Sequence, residues 1–334
     1  MKSILLLAAA VSCALAQNWQ PNVTNARLET RAFAGDLAAQ LKSDTPVWFG
    51  YAEKSIAGDH HGQCDCNLEG GWQNDGRRGT DSGPVYLEGT PAVAILSRVS
   101  AGGVEKIQAH PITCRIDAGG MRLIWLTGVP ADASLGFLEK RARTDADPDG
   151  AILAISLHEG AEADAILDRL SRPAEPPSLR EKAIFWLGAS RGARGVQILE
   201  KILASDSNPE IRDKAVFALF VSHQPEAQSD LLRAAKDDPS PHIRGQALFW
   251  LAQKAGERAA ATIENAIQND PDTEVKKRAV FALSQMPRDE GVPRLIEVAR
   301  NQRNREVRKQ AFFWLGQSHD PRALEFIEQV LESR

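Results

Sequence analysis

The sequence has no excess of basic residues and no long run of apolar ones. Its 334 residues include 40 Lys and Arg against 44 Asp and Glu, which gives a formal net charge of −4. Proteins that bind nucleic acid or an anionic membrane surface usually carry a basic patch. Neither kind of partner is therefore expected. The lack of a long apolar run also argues against an integral membrane span.

The N-terminal segment has the three parts of a secretory signal peptide. Lys2 gives a basic start, residues 4–11 form a short apolar stretch, and residues 14–16 (Ala-Leu-Ala) supply an Ala-x-Ala cleavage site. Residues 1–16 are therefore predicted to direct the chain to the periplasm or to the outside of the cell. A lipoprotein acylated at Cys13 is the less favoured alternative, because the residues before Cys13 match the usual lipoprotein box poorly.

Cysteine is scarce, and its spacing gives no metal or haem signature. The chain has four cysteines, of which Cys64, Cys66 and Cys114 remain after removal of the signal peptide. Three thiols allow one intramolecular disulfide in an oxidising compartment. We expect Cys66–Cys114, with Cys64 as the free thiol or the alternative partner, and no cofactor. A second hypothesis makes His60, His61, Cys64 and Cys66 a metal or redox centre, although Cys-x-Cys lacks the two-residue gap of zinc knuckles.

A 32-residue repeat fills the C-terminal half of the sequence. Five phrases in register begin at Ala183, Ala215, Ala247, Ala279 and Ala311, and read AIFWL, AVFAL, ALFWL, AVFAL and AFFWL. A fixed period of this length is typical of a solenoid, in which each unit buries its apolar face against its neighbours. Each unit then continues with an amphipathic segment, so we predict helical hairpins. A sixth, weaker copy begins at Ala151, and the solenoid is predicted to cover residues 147–334.

A second regularity lies in the turns between the repeats. An acidic residue precedes a basic one by six positions in three successive units, as Asp206 and Arg212, Asp238 and Arg244, and Asp270 and Lys276. This pattern resembles HEAT repeats, in the short bacterial form related to phycobilisome-lyase-like repeats. The resemblance implies an armadillo-like, right-handed α-solenoid whose neighbouring units are joined by a ladder of charge-assisted hydrogen bonds. The sequence departs from the pattern at both ends, where Ala174 and Gln302 replace the acid, so the ladder is expected to be broken there.

Tryptophan alternates with alanine in the position after the repeated phenylalanine. The column runs Ala154, Trp186, Ala218, Trp250, Ala282 and Trp314. An indole can fill space next to a small neighbour, so we expect core packing; an aromatic stripe on a binding surface is the alternative.

Residues 17–145 show no repeat and predict a small α+β domain with an antiparallel sheet. A helix-like run covers 26–41, and apolar or alternating segments predict strands. These strands are 46–51, 93–99, 104–109, 113–116 and 121–126, and a helix follows at 135–143. The order of motifs in this region resembles the N-terminal part of exported bacterial HEAT-repeat proteins, for which no activity can be carried over. These motifs are WFGY (48–51), the loop with His60 to Cys66, CNLEG (66–70), TCRIDAGG (113–120) and IWLTGV (124–129).

Together these patterns predict an exported scaffold that binds another protein through its solenoid and performs no catalysis. A homodimer is a further possibility. The alternative is the metal- or redox-active N-terminal loop, with the solenoid as its docking arm.

Overall fold

The computed structural model describes residues 19–56, 65–70, 92–254 and 257–332. The chain divides into two compact units, and the boundary falls between Phe137 and Leu138. This point lies inside a helix that spans residues 131–144, N-terminal to the boundary expected near residue 145.

The described residues of the first unit form two β-sheets. A five-stranded sheet has the order β2-β8-β3-β5-β6, and a three-stranded sheet has the order β1-β7-β4. The elements are β1 (Asn22–Thr24), β2 (Arg27–Ala32), α1 (Leu37–Gln40), β3 (Val47–Lys54), β4 (Asp65–Asn67), β5 (Ala92–Ser100), β6 (Gly103–Pro111), β7 (Arg115–Asp117), β8 (Arg122–Thr127) and α2 (Ala131–Thr144).

The sheets are mixed rather than wholly antiparallel. β3, β5 and β6 form antiparallel pairs, as expected from the alternating segments. In contrast, β8 pairs in parallel with both β2 and β3, and all pairs of the small sheet are parallel. The helix expected over 26–41 is wrong, because β2 occupies residues 27–32 and only four residues of that run are helical. Local periodicity did not reveal this strand, because its pairing with β8 is non-local.

The core of the first unit is built around two tryptophans. Trp48 and Trp125 are almost fully buried and pack with Leu96 and Leu123. Gly50 leaves room for the indole of Trp125: a Cβ at this position would lie 2.7 Å from the ring. This close approach requires glycine in the middle of a central strand.

The second unit is a stack of helical hairpins, as the repeat predicted. Residues 149–332, apart from 255–256, form six hairpins. Their helices are α3 (Asp149–Leu157), α4 (Ala161–Ser171), α5 (Pro177–Ser190), α6 (Gly192–Ser205), α7 (Pro209–Val221), α8 (Pro225–Asp237), α9 (Pro241–Lys254), α10 (Glu257–Asn269), α11 (Thr273–Gln285), α12 (Arg288–Asn301), α13 (Arg305–Gln317) and α14 (Pro321–Glu332).

Caps and small residues explain why the hairpins are compact. Several helices begin with a proline in the first turn, and several have an Asn or Asp at the N-cap. The side chain of Asn208, for example, accepts a hydrogen bond from the backbone N–H of Glu210 at 2.9 Å. The second helix of each hairpin meets the first at a column of small buried residues: Ala163, Gly195, Ala227, Ala259, Gly291 and Ala323. The first helices pack against one another more extensively than the second helices do.

Among the described residues, no helix combines the length and the apolar character needed to cross a membrane.

Candidate binding surface

Buried arginine–aspartate pairs join successive repeats of the solenoid. Arg212 donates to both carboxylate oxygens of Asp238 at 3.0 Å, and Arg244 donates to both oxygens of Asp270 at 2.7 and 2.9 Å. Arg180 pairs with Asp206 at the equivalent position of the preceding repeat, but through a single hydrogen bond. Each carboxylate partner lies 26 residues after its arginine. The aspartate six residues before the arginine contributes its backbone carbonyl instead, at 3.0 Å for Asp206 and Arg212.

The same aspartates shape the turns between the repeats. Oδ1 of Asp238 accepts from the backbone N–H of Ser240 at 2.8 Å, and Oδ1 of Asp270 accepts from Asp272 at 2.9 Å. Burial alone would raise the pKa of Asp270, but the hydrogen bonds from Arg244 and from the backbone of Asp272 hold it below its usual value. The carboxylate is therefore fully satisfied by one turn and one neighbouring repeat.

The ladder changes character where Gln302 replaces the acid. Gln302 keeps the turn, because its Oε1 accepts from the backbone N–H of Asn304 at 3.0 Å. Its amide donates to the carbonyl of Ile267 at 3.0 Å. Lys276, the last basic residue named from the sequence, donates to the carbonyl of Gln268 at 2.8 Å. A neutral amide thus bridges the repeats here in place of an ion pair.

Sequence reasoning missed Arg191, which binds the first repeat to the second. Its buried guanidinium contacts Asp164 at 2.5 Å and donates to the carbonyls of Ser156, His158 and Gly160 at 2.7–3.0 Å. An arginine occurs at this position of the repeat once, so no column of the sequence marked it.

A continuous row of aromatic rings crosses the first helices from α5 to α13. Each ring contacts the next with centroids 4.4–6.4 Å apart. We call these nine residues the aromatic row: Trp186, Phe185, Phe217, Phe220, Trp250, Phe249, Phe281, Trp314 and Phe313.

The aromatic row is partly exposed rather than buried in the core. Eight of its residues are half-buried, and Phe313 is 53% exposed. The expected core packing of the tryptophan column is therefore only partly right: Ala154, Ala218 and Ala282 are fully buried, but the tryptophans reach the surface. Trp250, for example, packs back onto Phe217 and Phe220 of the preceding repeat. The buried alanines let the first helices of neighbouring hairpins approach closely, and the indoles lie at the edge of this helix–helix contact.

Charged residues on one side of the aromatic row are paired with each other. Lys214, one turn before Phe217, contacts Glu181 at 3.3 Å. His242, two turns before Phe249, lies 3.5 Å from Asp213 and 3.2 Å from Arg278. One turn after the phenylalanines, three repeats carry an exposed glutamine, at 253, 285 and 317. The surface around the row is thus polar, and it includes the ammonium of Lys254, which lies 5.7 Å from the ring centroid of Phe220.

A small cavity lies at the end of the aromatic row between α11, α12 and α13. It has a volume of about 220 Å³ and is lined by Trp314, Gln285, Gln317 and Met286, among others. The indole Nε1 of Trp314 is buried and has no hydrogen-bond partner among the described residues.

Of the cysteines and histidines named from the sequence, the structure describes Cys66 and Cys114. Cys114 is disulfide-bonded, whereas Cys66 keeps its thiol, so the expected Cys66–Cys114 bridge is wrong. The register explains this, because β4 and β7 place Cys66 opposite Ile116 rather than Cys114. His60, His61 and Cys64 lie outside the described residues. Within the described part of the chain, no three His, Cys, Asp or Glu side chains are grouped to hold a metal ion.

Comparisons with known proteins agree with the helical-repeat architecture. The family model described as HEAT repeats matches residues 163–252 and 260–334. Among solved structures, human deoxyhypusine hydroxylase in complex with glycerol is similar at 17% identity and a TM-score of 0.26, over 59% of this chain and 89% of that one. The complex of CpcE and CpcF of phycocyanin lyase from Nostoc sp. PCC7120 is similar at 20% identity and a TM-score of 0.35, over 45% and 98%.

A third solved structure, that of Kap121p, is similar at 14% identity and a TM-score of 0.35, over 55% of this chain and 25% of that one. At these identities the similarity concerns the fold alone. No curated protein matches the sequence. The match to the repeat model, the six hairpins and the arginine–aspartate ladder lead to one assignment: the C-terminal part of this chain is a HEAT-repeat α-solenoid.

Proposed function

We propose that the solenoid is a scaffold that binds another protein along the aromatic row, without catalytic turnover. The observation that carries this proposal is the continuity of the row, in which nine partly exposed rings are in contact across five helices. Aromatic side chains dominate the energetic centres of protein interfaces. A HEAT-type array presents such side chains over an extended surface.

The chemistry around the row favours an extended, weakly charged polypeptide segment as the occupant. Lys214 is already paired with Glu181, and the ammonium of Lys254 lies over the ring of Phe220 and donates to the carbonyl of Ser222, so these two cations offer little to a phosphate backbone. Exposed amides at 253, 285 and 317 can donate to and accept from peptide groups. Trp314, with Gln285 and Gln317, also lines the cavity at the end of the row, where a side chain of such a segment can sit. With helices about 9 Å apart and about 3.3 Å per extended residue, the five helices match a segment of about 11 residues.

We place this interaction in the periplasm or outside the cell. The support is the signal-peptide pattern of residues 1–16. The disulfide at Cys114 is compatible with that location, because disulfides persist in oxidising compartments.

The test is a binding measurement that compares alanine variants of the aromatic row with an alanine variant of an equally exposed residue outside it. The mature protein is used to capture its partner from the exported fraction, and the identified partner is then purified for calorimetry. Because truncation of an interface aromatic costs more than about 1 kcal/mol, we expect the double variant Phe217→Ala/Phe249→Ala to weaken the Kd by at least about 10-fold. Phe313→Ala is expected to weaken it as well, whereas Leu324→Ala, of similar exposure on α14, is expected to leave it unchanged.

The proposal is rejected if the aromatic variants and Leu324→Ala bind the partner with the affinity of the wild-type protein. Circular dichroism of each variant establishes that a loss of binding does not reflect unfolding.

A further inference from the structure

The strand β2 lies at one edge of the five-stranded sheet and is exposed along its whole length. All six residues of Arg27–Ala32 are exposed, and Leu28 is 46% exposed. β2 pairs with β8 on one side, and within the described ranges no strand and no backbone hydrogen bond lies on its other side. An edge of this kind is a template for a further strand. The proposed function of the solenoid does not use it.

The hydrogen bonds to β8 show which backbone groups of β2 point outward. The N–H of Arg27 donates to the carbonyl of Met121 at 3.0 Å, and the N–H of Phe33 donates to the carbonyl of Thr127 at 2.9 Å. The register between these two bonds is continuous, so the odd-numbered residues of β2 face β8. The N–H and C=O groups of residues 28, 30 and 32 therefore point away from the sheet.

A second copy of the same strand, running antiparallel, fits this edge. With a two-fold axis at Thr30, the outward groups of Thr30 meet those of its own copy, and Leu28 meets Ala32 on both sides of the axis. Each of these three pairs exchanges two bonds, which gives about six backbone hydrogen bonds. In the same register Glu29 lies directly opposite Arg31 of the second copy, and this pair also occurs twice.

The charges of β2 favour this register over its neighbours. Glu29 and Arg31 lie on the same side of the sheet, and opposite side chains are closest in pairs without backbone hydrogen bonds. A shift of two residues brings Glu29 opposite its own copy in one direction and Arg31 opposite its own copy in the other. Like charges in opposite positions destabilise a strand pair. A shift of one residue is excluded, because it would require backbone groups that are already bonded to β8.

Glu29 is held in place for this contact, and Arg31 keeps donors for it. Both carboxylate oxygens of Glu29 accept from Arg122 on β8, at 3.0 and 3.1 Å. Arg31 contacts Oε2 of Glu29 at 3.0 Å through one nitrogen, and its side chain is 51% exposed. Its guanidinium therefore has further N–H groups for a second carboxylate.

Charged side chains at a sheet edge ordinarily oppose pairing with another strand. On β2 the charges alternate in sign, as Arg27, Glu29 and Arg31. The pattern is complementary to itself when one copy is reversed. The same charges that disfavour strands of another pattern thus accept a second copy of β2.

We propose that two copies of this chain associate through their β2 strands and join their five-stranded sheets into one continuous sheet. The interface is isologous, because the same residues meet on both sides of the two-fold axis. It consists of one strand pair and is small, so we expect a dimer that depends on concentration rather than a permanent one. The inference rests on the first unit alone and is independent of binding by the solenoid.

Sedimentation velocity of the full-length mature protein over a range of concentrations measures the dimer. We expect Glu29→Arg and Arg31→Glu each to weaken the Kd of the dimer by about 10-fold or more, because like charges then face each other in both pairs. An equimolar mixture of the two variants restores opposite charges, so we expect it to dimerise more tightly than either variant alone. Glu226→Arg, at an exposed position of α8, changes the net charge equally and is expected to leave the dimer unchanged.

A proline at position 30 tests the backbone pairing. Thr30→Pro removes only an outward N–H and leaves the bonds to β8 in place. We expect the dimer to be lost, whereas the melting temperature, measured where the wild type is monomeric, stays close to that of the wild type. Thr30→Val keeps the N–H and is expected to keep the dimer.

Oxidative cross-linking tests the register. The Cα atoms of the two copies of residue 30 are expected about 5.5 Å apart, within the reach of a disulfide, so Thr30→Cys is expected to cross-link with itself. Two copies of residue 28 are expected about 13 Å apart, so Leu28→Cys is expected to cross-link with Ala32→Cys in a mixture but not with itself. Peptide mass mapping locates each new disulfide.

Two results would overturn the proposal. A wild-type protein that stays monomeric up to about 1 mM excludes a second copy as the occupant of the β2 edge and leaves the edge to a strand of another protein. A dimer that Thr30→Pro leaves intact is formed by a different surface of the chain.

Discussion

Glu53 shows how a single buried carboxyl group makes the stability of the first unit depend on pH. It lies on β3, is 7% exposed, and its Oε1 has no hydrogen-bond partner among the described residues. Burial and the nearby charge of Asp132 raise the pKa of Glu53 from 4.5 to about 8. Since the unfolded chain loses this proton at lower pH than the folded chain, the free energy of unfolding falls as pH rises between about 4.5 and 8.

We therefore expect Glu53→Gln to gain stability relative to the wild type as pH rises through this window. A neutral amide of similar shape has no proton to lose, so the relative gain between pH 4 and pH 9 is expected to be roughly 3–5 kcal/mol. Denaturant unfolding of the full chain, followed by hydrogen exchange of β3 and β5, measures it. Glu159→Gln, an exposed residue of the solenoid, is the matched control for removal of one negative charge. A pH-independent difference between Glu53→Gln and the wild type would contradict the prediction.

The sequence did not reveal functional contacts made by residues that do not recur at the same position of each repeat. The ladder arginines and aspartates were predictable because they recur in register. Arg191 has no such column, and its role depends on a partner that is distant in sequence, Asp164. The Cys66–Cys114 expectation failed for the same reason, because the register of two non-consecutive strands decides which residues meet.

At the scale of the element, the helices of the solenoid could be placed from the sequence and the strands of the first unit only in part. A helical hairpin buries its apolar face against its neighbours in sequence, so the period carries most of the information. The antiparallel strands β3, β5 and β6 were also predictable, because each is a continuous apolar or alternating run and a short turn joins β5 to β6. The strand β2 was not, since its residues are all exposed and its partner β8 lies far along the chain.

The packing of α5 on α6 gives a prediction for one glycine. A Cβ at Gly195 would lie 1.9 Å from the backbone oxygen of Leu187, so Gly195→Ala forces the two helices of this hairpin apart. We expect a loss of about 1–3 kcal/mol in the free energy of unfolding, as for other overpacked contacts. Gly316→Ala is the matched control, because it lies in α13 with nothing within 4 Å of the new methyl group.

That control is expected to raise stability by up to about 1 kcal/mol, since alanine restricts the unfolded chain and favours the helix. Thermal denaturation of both variants, monitored by circular dichroism, gives the comparison. Equal melting temperatures for Gly195→Ala and Gly316→Ala would show that the hairpin relaxes without cost.

At the scale of the whole molecule, the ladder determines how a local change spreads along the solenoid. In an array of this kind each repeat contacts only its neighbours, so stability is close to a sum of repeat and interface contributions. The pair Arg212–Asp238 joins the repeat of α7 and α8 to the repeat of α9 and α10, and both side chains are buried. Its loss therefore acts on one interface near the middle of the array.

Asp238→Asn perturbs only that interface. The amide keeps an oxygen that accepts from the N–H of Ser240, but the guanidinium of Arg212 loses its charged partner. Removing one member of a buried ion pair costs about 3–5 kcal/mol. We expect hydrogen exchange to accelerate most in α7 to α10 and progressively less toward α3 and α13. Asp237→Asn, an exposed neighbour of the same charge, is expected to leave exchange unchanged. If protection instead falls equally in every helix of Asp238→Asn, the six hairpins unfold as one cooperative block, and the aromatic row is a single rigid surface rather than one assembled repeat by repeat.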